Sequence, residues 1–310
     1  MMRCMTSAIA GLRAHQLAMD VIGNNISNVD TPSFKSGSTA FRDTMYQEVT
    51  AGSGGTASGA GMNPSEIGYG AAATGVVLNT TKGGENATGI NSDVYIDGEG
   101  YLIIGNSARD TSGTYLKDSF TNYKYTRIGA LSFDSKGYLT DGTGNYVCGQ
   151  QNTVAGQATV TLSPSAATNG TYNAPDGSTV PPPVAIHYDP SLGSLSNTSI
   201  ASDGTITATQ AGKTITIGKI GLASFTNASG LQQMGNGFYA APASGNTGTT
   251  QYSVPSPTGA GKLITGALEA SNVDLASEFS NMIMYERGYQ ANTKIISVSD
   301  EMYQTLVNMK

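Results

Sequence analysis

Charge is what this sequence has least of. Charged residues make up 12% of its 310 positions, about half the ~25% of an average soluble domain. No Lys/Arg cluster occurs and the net charge is −6, which argues against a nucleic-acid partner, since phosphate counterions are displaced by a basic patch. Histidine occurs twice, at His15 and His187, and neither has a second His or a Cys at ligand spacing, so no metal site is expected. The two cysteines, Cys4 and Cys148, do not form the even-numbered set of a disulfide framework and are expected as free thiols. No stretch approaches the ~20 apolar residues of a membrane span, so no membrane insertion is expected. Met1 to Leu17 carries Arg3, Arg13 and His15 where a secretory signal has an unbroken apolar core. If the chain works outside the cell, as its abundance of Gly, Ser, Thr and Asn suggests, it is expected to leave by a route that spares its N-terminus. There is no Gly-x-Ser-x-Gly elbow, phosphate loop or dinucleotide glycine pattern. The acidic pairs Asp97/Glu99 and Asp134/Asp141 sit in turns, where carboxylates usually serve turn geometry. Neither an enzyme nor a cofactor is expected.

What is present is apolar periodicity at the two ends. Residues 272–310 read as one amphipathic helix, with Asn272 or Asp274 available to accept from the free N–H groups of its first turn. Leu275, Met282, Tyr289, Ile296 and Tyr303 are spaced by seven, and Phe279, Leu306 and Met309 broaden the stripe. Glu278, Arg287, Lys294 and Glu301 occupy the opposite face. At the other end Met5, Leu12, Met19 and Ile26 are also seven apart, widened by Ala8, Ile9, Ile22 and Val29. Such a repeat marks a helix that packs lengthwise on another. Helices of this kind gain most of their stability from burying the apolar face, so each needs a partner, and the other end of the chain is the expected one. Two arrangements stay open: the helices pack in the core of one globular protein, or they form a stalk or assembly tip with the middle looped out. The first helix is expected to stop near Asn28. Its Asn and Ser side chains compete for helical hydrogen bonds, and Pro32 disfavours helix at Thr31.

The middle of the chain carries β patterns. Residues 50–65, rich in Gly, Ser and Ala, read as a flexible linker or an extended arm. Asp93–Asp97 and Tyr101–Ile104 flank the turn Asp97-Gly98-Glu99-Gly100 and predict a hairpin. Tyr123 to Cys148 continues the scheme around a turn at 134–137. Residues 150–183 look like an insertion that ends in three prolines. Strands resume at Val184–Tyr188, and Asp203-Gly204 marks a second hairpin. The expected fold class is α+β. Residues 1–35 and 272–310 form a coiled-coil-like helical assembly domain, 36–69 a linker arm, 70–149 with 184–271 a β-rich domain, and 150–183 a small insertion.

Several blocks together carry a family resemblance. They are Ile9-Ala10-Gly11-Leu12, the run from Leu17 to Val29, the run Gly266 to Phe279, and the tail Arg287-Gly288-Tyr289-Gln290-Ala291-Asn292-Thr293-Lys294 with Asp300-Glu301-Met302. Inner blocks at Asp97–Tyr101, Tyr125–Gly129 and Phe225–Leu231 add to them. The chain resembles, nearly end to end apart from 150–183, the axial proteins of the bacterial flagellum, in their hook and distal-rod group. Asn24, Asn25, Asn28, Ser271, Asn272 and Asp274 are the signature positions. The resemblance implies a structural subunit whose terminal helices line the inside of a helical tube while the β-rich part faces outward. Self-assembly then engages Met5, Ile9, Leu12, Met19, Ile22 and Ile26 of the first helix. In the last helix it engages Leu275, Phe279, Met282, Tyr289, Ile296, Tyr303 and Leu306. The implied partners are other copies, the neighbouring rod, hook-cap and hook–filament junction proteins, and the flagellar type III export machinery. The implied location is the hook or basal body. The Ser271–Phe279 block is most similar to hook proteins, so hook is the expected role. Thr31-Pro32-Ser33-Phe34-Lys35 departs from the hook pattern, and distal rod is the alternative. A surface adhesin with β modules on a stalk is the reading from another class.

Overall fold

Residues 2–27 contain no proline, and in the computed structural model of the chain they form one helix, α1 (Met2–Ser27). The structure describes all residues except 1, 56–59, 106–122, 152–183, 189, 191–193, 211, 243–244, 256–260 and 310. The side chains expected to stop α1 do so. Ser27 Oγ and Asn28 Nδ2 both donate to the Asn24 carbonyl, at 2.9 Å each, supplying an acceptor with local donors that no continuing helix provides. The second helix, α2 (Leu275–Asn308), begins at Asp274, whose carboxylate accepts from the Ala276 N–H at 3.0 Å.

The chain separates into two units. One holds residues 1–29, 35–79 and 273–310: both helices and a β-ribbon. The ribbon is built from β1 (Gly37–Asp43), β2 (Tyr46–Thr50), β3 (Ser65–Gly68) and β4 (Ala71–Leu78). β1 pairs antiparallel with β4 and β2 with β3, and a bridge between Ser53 and Met62 extends the ribbon toward its tip. The stretch expected as a linker at 36–69 is therefore largely paired backbone, and residues 70–79, expected with the β-rich body, pair into the ribbon instead. Alternation is weak here because every residue of β2 and β3 is exposed, so composition alone reads as linker.

The other unit, residues 30–34 and 80–272, is the β-rich body. Its main sheet runs in the order Leu195–Ile200, Thr205–Gln210, Lys213–Ile220, Tyr146–Gln151, Tyr101–Gly105, Tyr123–Thr126, Phe238–Ala240, Gln232–Gly235. The Asp203-Gly204 hairpin forms between the first two of these strands. In Thr205–Gln210 every second residue is buried, the period-two pattern of a strand with one face on the core. Val94, Ile96, Leu102, Val147, Ile206, Ile220 and Leu222 lie in that core without contact with water. Each contributes about 1.5–3 kcal/mol relative to an exposed side chain. The expected insertion lies, from residue 152 on, outside the described residues.

One expected hairpin is absent. Val94–Asp97 pairs with Lys262–Thr265, while Tyr101–Gly105 pairs with Tyr123–Thr126, Tyr146–Gln151 and Leu222–Phe225. The intervening turn wraps the Arg127 guanidinium, which donates to the carbonyls of Gly100 (3.0 Å), Ile96 (3.1 Å) and Gly98 (3.0 Å). Carbonyls that a hairpin ladder would use are satisfied by a side chain. Gly98 and Gly100, at φ 140° and 135°, supply backbone that other residues rarely adopt.

Arg127 Nε also donates to Glu269 Oε2 at 2.7 Å, and both side chains are almost fully buried. Glu269 Oε1 accepts from the Gly83 N–H at 2.8 Å. Charge and hydrogen-bonding capacity are thus met inside the body, the condition under which a buried pair is tolerated. Removing one partner strands the other. Glu269→Ala should lower the unfolding free energy of the body by about 3–5 kcal/mol in urea titration; a loss below about 1 kcal/mol would show that the pair is not needed.

Candidate assembly surface

Within the first unit, α1 and α2 lie antiparallel in a single register. Cys4 Sγ is 3.6 Å from Ser299 Oγ at one end, and Asn25 Nδ2 donates to Glu278 Oε1 at 3.1 Å at the other. Between them, two glycines meet side chains of the facing helix. A Cβ on Gly11 would stand 2.7 Å from Asn292 Nδ2, and one on Gly288 would stand 2.8 Å from His15 Nε2. Gly11 and Gly288 therefore admit the Asn292 amide and the His15 imidazole into the space between the helices. His15 also meets Phe41 of β1 (6.0 Å between ring centroids) and Tyr285 of α2 (5.8 Å). Ala8, Ala18, Ile22 and Ser299 are buried.

The line of contact is thus small and polar, and on α1 it runs one residue ahead of the heptad stripe. Cys4, Gly11 and Asn25 face α2, whereas Met5, Leu12, Met19 and Ile26 lie half-buried beside them. Ile22 is buried and Ile9 is 40% exposed. On α2, Met282, Tyr289, Ile296 and Tyr303 are half-buried. Leu275, Phe279 and Leu306 are 38%, 50% and 57% exposed. Among the described residues, every exposed large apolar side chain except Ile90 and Met234 belongs to the helix-and-ribbon unit. Ile283, Met284, Ile295 and Val298 on α2 and Met45, Tyr46, Val49 and Ile67 on the ribbon are examples. A two-stranded ribbon exposed on all sides is marginal alone, and a concentration of apolar surface of this kind marks an interaction face.

The signature positions divide between caps and clasps. Asn25 is 1% exposed and makes three bonds: Nδ2 to the Gly37 carbonyl (2.8 Å) and to Glu278, and Oδ1 from the Gly37 N–H (3.0 Å). It joins the end of α1 to the start of β1 and to α2. Asn24 Oδ1 accepts from Asn28 Nδ2 at 3.0 Å. Asp274 caps α2, and Ser271 is half-buried in the loop that leads to it. In the body, Asn272 Nδ2 donates to the Thr81 carbonyl at 3.1 Å, and its N–H to the Phe34 carbonyl at 3.3 Å.

The remaining polar groups serve structure. Asp141 accepts from the backbone and side chains of both Thr143 and Asn145, closing its own loop. Asp97 meets Lys82 at 2.6 Å, which holds its carboxyl below the usual range. His187 lies 4.4 Å from the Tyr138 ring in the body, in a different unit from His15. No group of His, Cys, Asp and Glu among the described residues has the geometry to hold a metal ion. No described helix is long and apolar enough to cross a membrane.

Sequence reading missed Arg127 with Glu269, although both stand in quoted blocks, and it missed the glycine contacts of the helix pair. A Gly facing a polar side chain leaves no apolar period to detect.

Two outcomes follow from the geometry. Asn25→Leu leaves the half-buried Gly37 backbone groups without their Asn25 partner and should destabilise the helix-and-ribbon unit by about 1–3 kcal/mol. Thermal unfolding followed by the helical signal measures it, and an unchanged midpoint would contradict the role. Burial pushes the Cys148 thiol up to about 12, while Cys4 is exposed. Iodoacetamide at pH 8 should therefore modify Cys4 and spare Cys148 until the body unfolds, as peptide mass mapping would read out.

Comparison with known proteins bears on this surface. A family model for the C-terminal region of flagellar basal body rod FlgEFG proteins matches residues 264–309, and one for flagella basal body rod proteins matches residues 5–35. The chain is similar to the flagellar basal-body rod protein FlgG of Bacillus subtilis, 34% identical over 312 residues with both chains covered completely. It is 29% identical to the FlgG of Buchnera aphidicola subsp. Acyrthosiphon pisum, over 96% of this chain and 95% of that one. Similarity extends to the flagellar hook protein FlgE of Treponema pallidum, 26% identical over 466 residues, again with both chains covered completely.

Proposed function

This chain belongs to the flagellar basal-body rod and hook family of axial structural proteins, and we propose that it polymerises as a subunit of the rod, in its distal part. The observation that carries polymerisation is the segregation of exposed apolar side chains, among the described residues, onto α1, α2 and the ribbon. Burial of that surface between copies offsets the entropy of ordering the helices and ribbon. The residues expected at the interface, from Met5 to Ile26 and from Leu275 to Leu306, are half-buried or exposed in the single chain apart from Ile22, so most retain surface to bury in an assembly. Other copies, adjoining axial proteins and the flagellar export machinery are the partners in this reading, and the basal body is the location.

The choice of rod over hook rests on length. The alignment to the Bacillus subtilis rod protein spans 312 residues, whereas that to the Treponema pallidum hook protein spans 466 for a chain of 310. A rod assignment needs almost no insertion; a hook assignment needs a large part of the hook sequence to have no counterpart here. The hook reading keeps the support of the Ser271–Phe279 block and of relatives that align end to end.

Two measurements test the proposal. Purified protein should form concentration-dependent polymers that disappear when residues 273–310 are removed, with the body still folded; polymers that survive the deletion would overturn the role of α2. Electron microscopy of basal bodies from cells lacking the gene should show a rod that stops short of the outer rings. A complete rod without a hook would favour the hook reading, and intact flagella would contradict both.

A further inference from the structure

Asn-Gly dipeptides occur at two places in the chain, 169–170 and 236–237, and the first lies outside the described residues. Asn236 and Gly237 form the whole connection between Gln232–Gly235 and Phe238–Ala240, the hairpin at one edge of the main sheet. Gly235 pairs with Phe238, so two residues make the turn. Their φ values of 56° and 73° are the left-handed pair that such a turn needs to match the twist of its strands.

The fold calls for both residue types. Asn is among the few side chains that tolerate a positive φ. At position 237 the φ favours glycine, and a Cβ there would also stand 2.3 Å from Ile128 Cδ1. The Gly237 carbonyl accepts from Thr126 Oγ1 at 2.8 Å, which ties the turn to the neighbouring strand. Asn236 is exposed. The strand before it, Gln232–Gly235, is exposed at every residue and carries a register shift between Gln233 and Gly235. The Asn145 and Asn227 amides donate to the Asp141 carboxylate and the Asn246 carbonyl, whereas no partner among the described residues takes the Asn236 amide.

We propose that Asn236 is a site of spontaneous deamidation in the folded body. The Gly237 nitrogen, having lost its proton to hydroxide, attacks Asn236 Cγ. The new C–N bond closes a five-membered succinimide and the Cγ–Nδ2 bond breaks. Ammonia leaves with a proton drawn from water, which returns the hydroxide. A side chain at position 237 would crowd the attacking nitrogen, and glycine has none. Water then opens the ring. Opening at the side-chain carbonyl gives Asp with the main chain restored. Opening at the main-chain carbonyl gives isoaspartate, in which the chain runs through the side-chain carbons. Nothing is oxidised or reduced, and water is the only co-reactant. Either product adds one negative charge to a chain whose net charge is −6. Isoaspartate also adds an atom to the main chain between Gly235 and Phe238, so it must give up either the two-residue turn or the bond from Thr126.

Asn197 is the internal control. It too is exposed and holds a positive φ, 49°, but it precedes Thr198. The full-length, unpolymerised protein is incubated at pH 8 and sampled over weeks. Peptide mass mapping reads the exchange of amide for carboxylate at each Asn, and an endoproteinase that cuts before Asp but not before isoaspartate separates the two products. Loss of the amide at Asn236 should outpace that at Asn197 by about tenfold, which is about 1.4 kcal/mol of barrier. It should also quicken with rising pH, because the attacking nitrogen must shed its proton. A parallel sample unfolded in urea gives the rate without the turn. Loss at Asn236 no faster than at Asn197 would overturn the proposal. So would loss in urea alone, because the folded turn would then shield the amide. Asn236→Gln, whose longer side chain cannot close the five-membered ring, should abolish the change; a change that persisted in it would belong to another residue.

Discussion

Two helices approach closely only where their side chains are small, and that constraint shapes the assembly unit of this chain. Gly11 faces Asn292 and Gly288 faces His15, at distances that a methyl group on either glycine would violate. Small and polar contacts fix a register, but they bury little apolar area, so the pair is specific before it is stable. The heptad residues beside these contacts are half-buried, while Phe279, Ile283 and Met284 stay exposed in a single chain. In the proposed polymer, other copies bury that flank.

The body answers the opposite demand. Among the described residues it buries its apolar side chains on itself and holds one nearly fully buried ion pair, Arg127 with Glu269. Arg127 gathers three carbonyls of a turn, and Glu269 holds Gly83, so strands far apart in sequence end at one point. The body is thus self-contained, whereas the helix-and-ribbon unit leaves apolar surface in water.

Much of this was legible in the sequence. The two terminal helices, the Asp274 cap, the stop at Asn28 and the Asp203-Gly204 turn all follow from local chemistry, which needs no knowledge of distant residues. The errors share a cause. The heptad stripe shows a period and was legible; the glycines that meet Asn292 and His15 have no side chain to show one and were not. The hairpin expected at Asp97–Gly100 failed because Arg127, from a different strand, fills the turn. The ribbon was hidden by its composition, since strands exposed on both faces need not alternate. The hook expectation rests on one short block, and relatives named as rod and as hook proteins both align with the chain end to end.

In the proposed polymer, the apolar flank of the helix-and-ribbon unit is what neighbouring copies bury. Peroxide footprinting of methionine measures this directly, because exposed thioethers are converted to sulfoxides. Met45, Met62, Met284, Met302 and Met309 are exposed on that unit, and Met234 is exposed on the body as an internal standard. Oxidation in the polymer should be suppressed at the first set relative to the unpolymerised protein and unchanged at Met234. Equal oxidation of every site in the two states, or protection confined to Met234, would contradict the account.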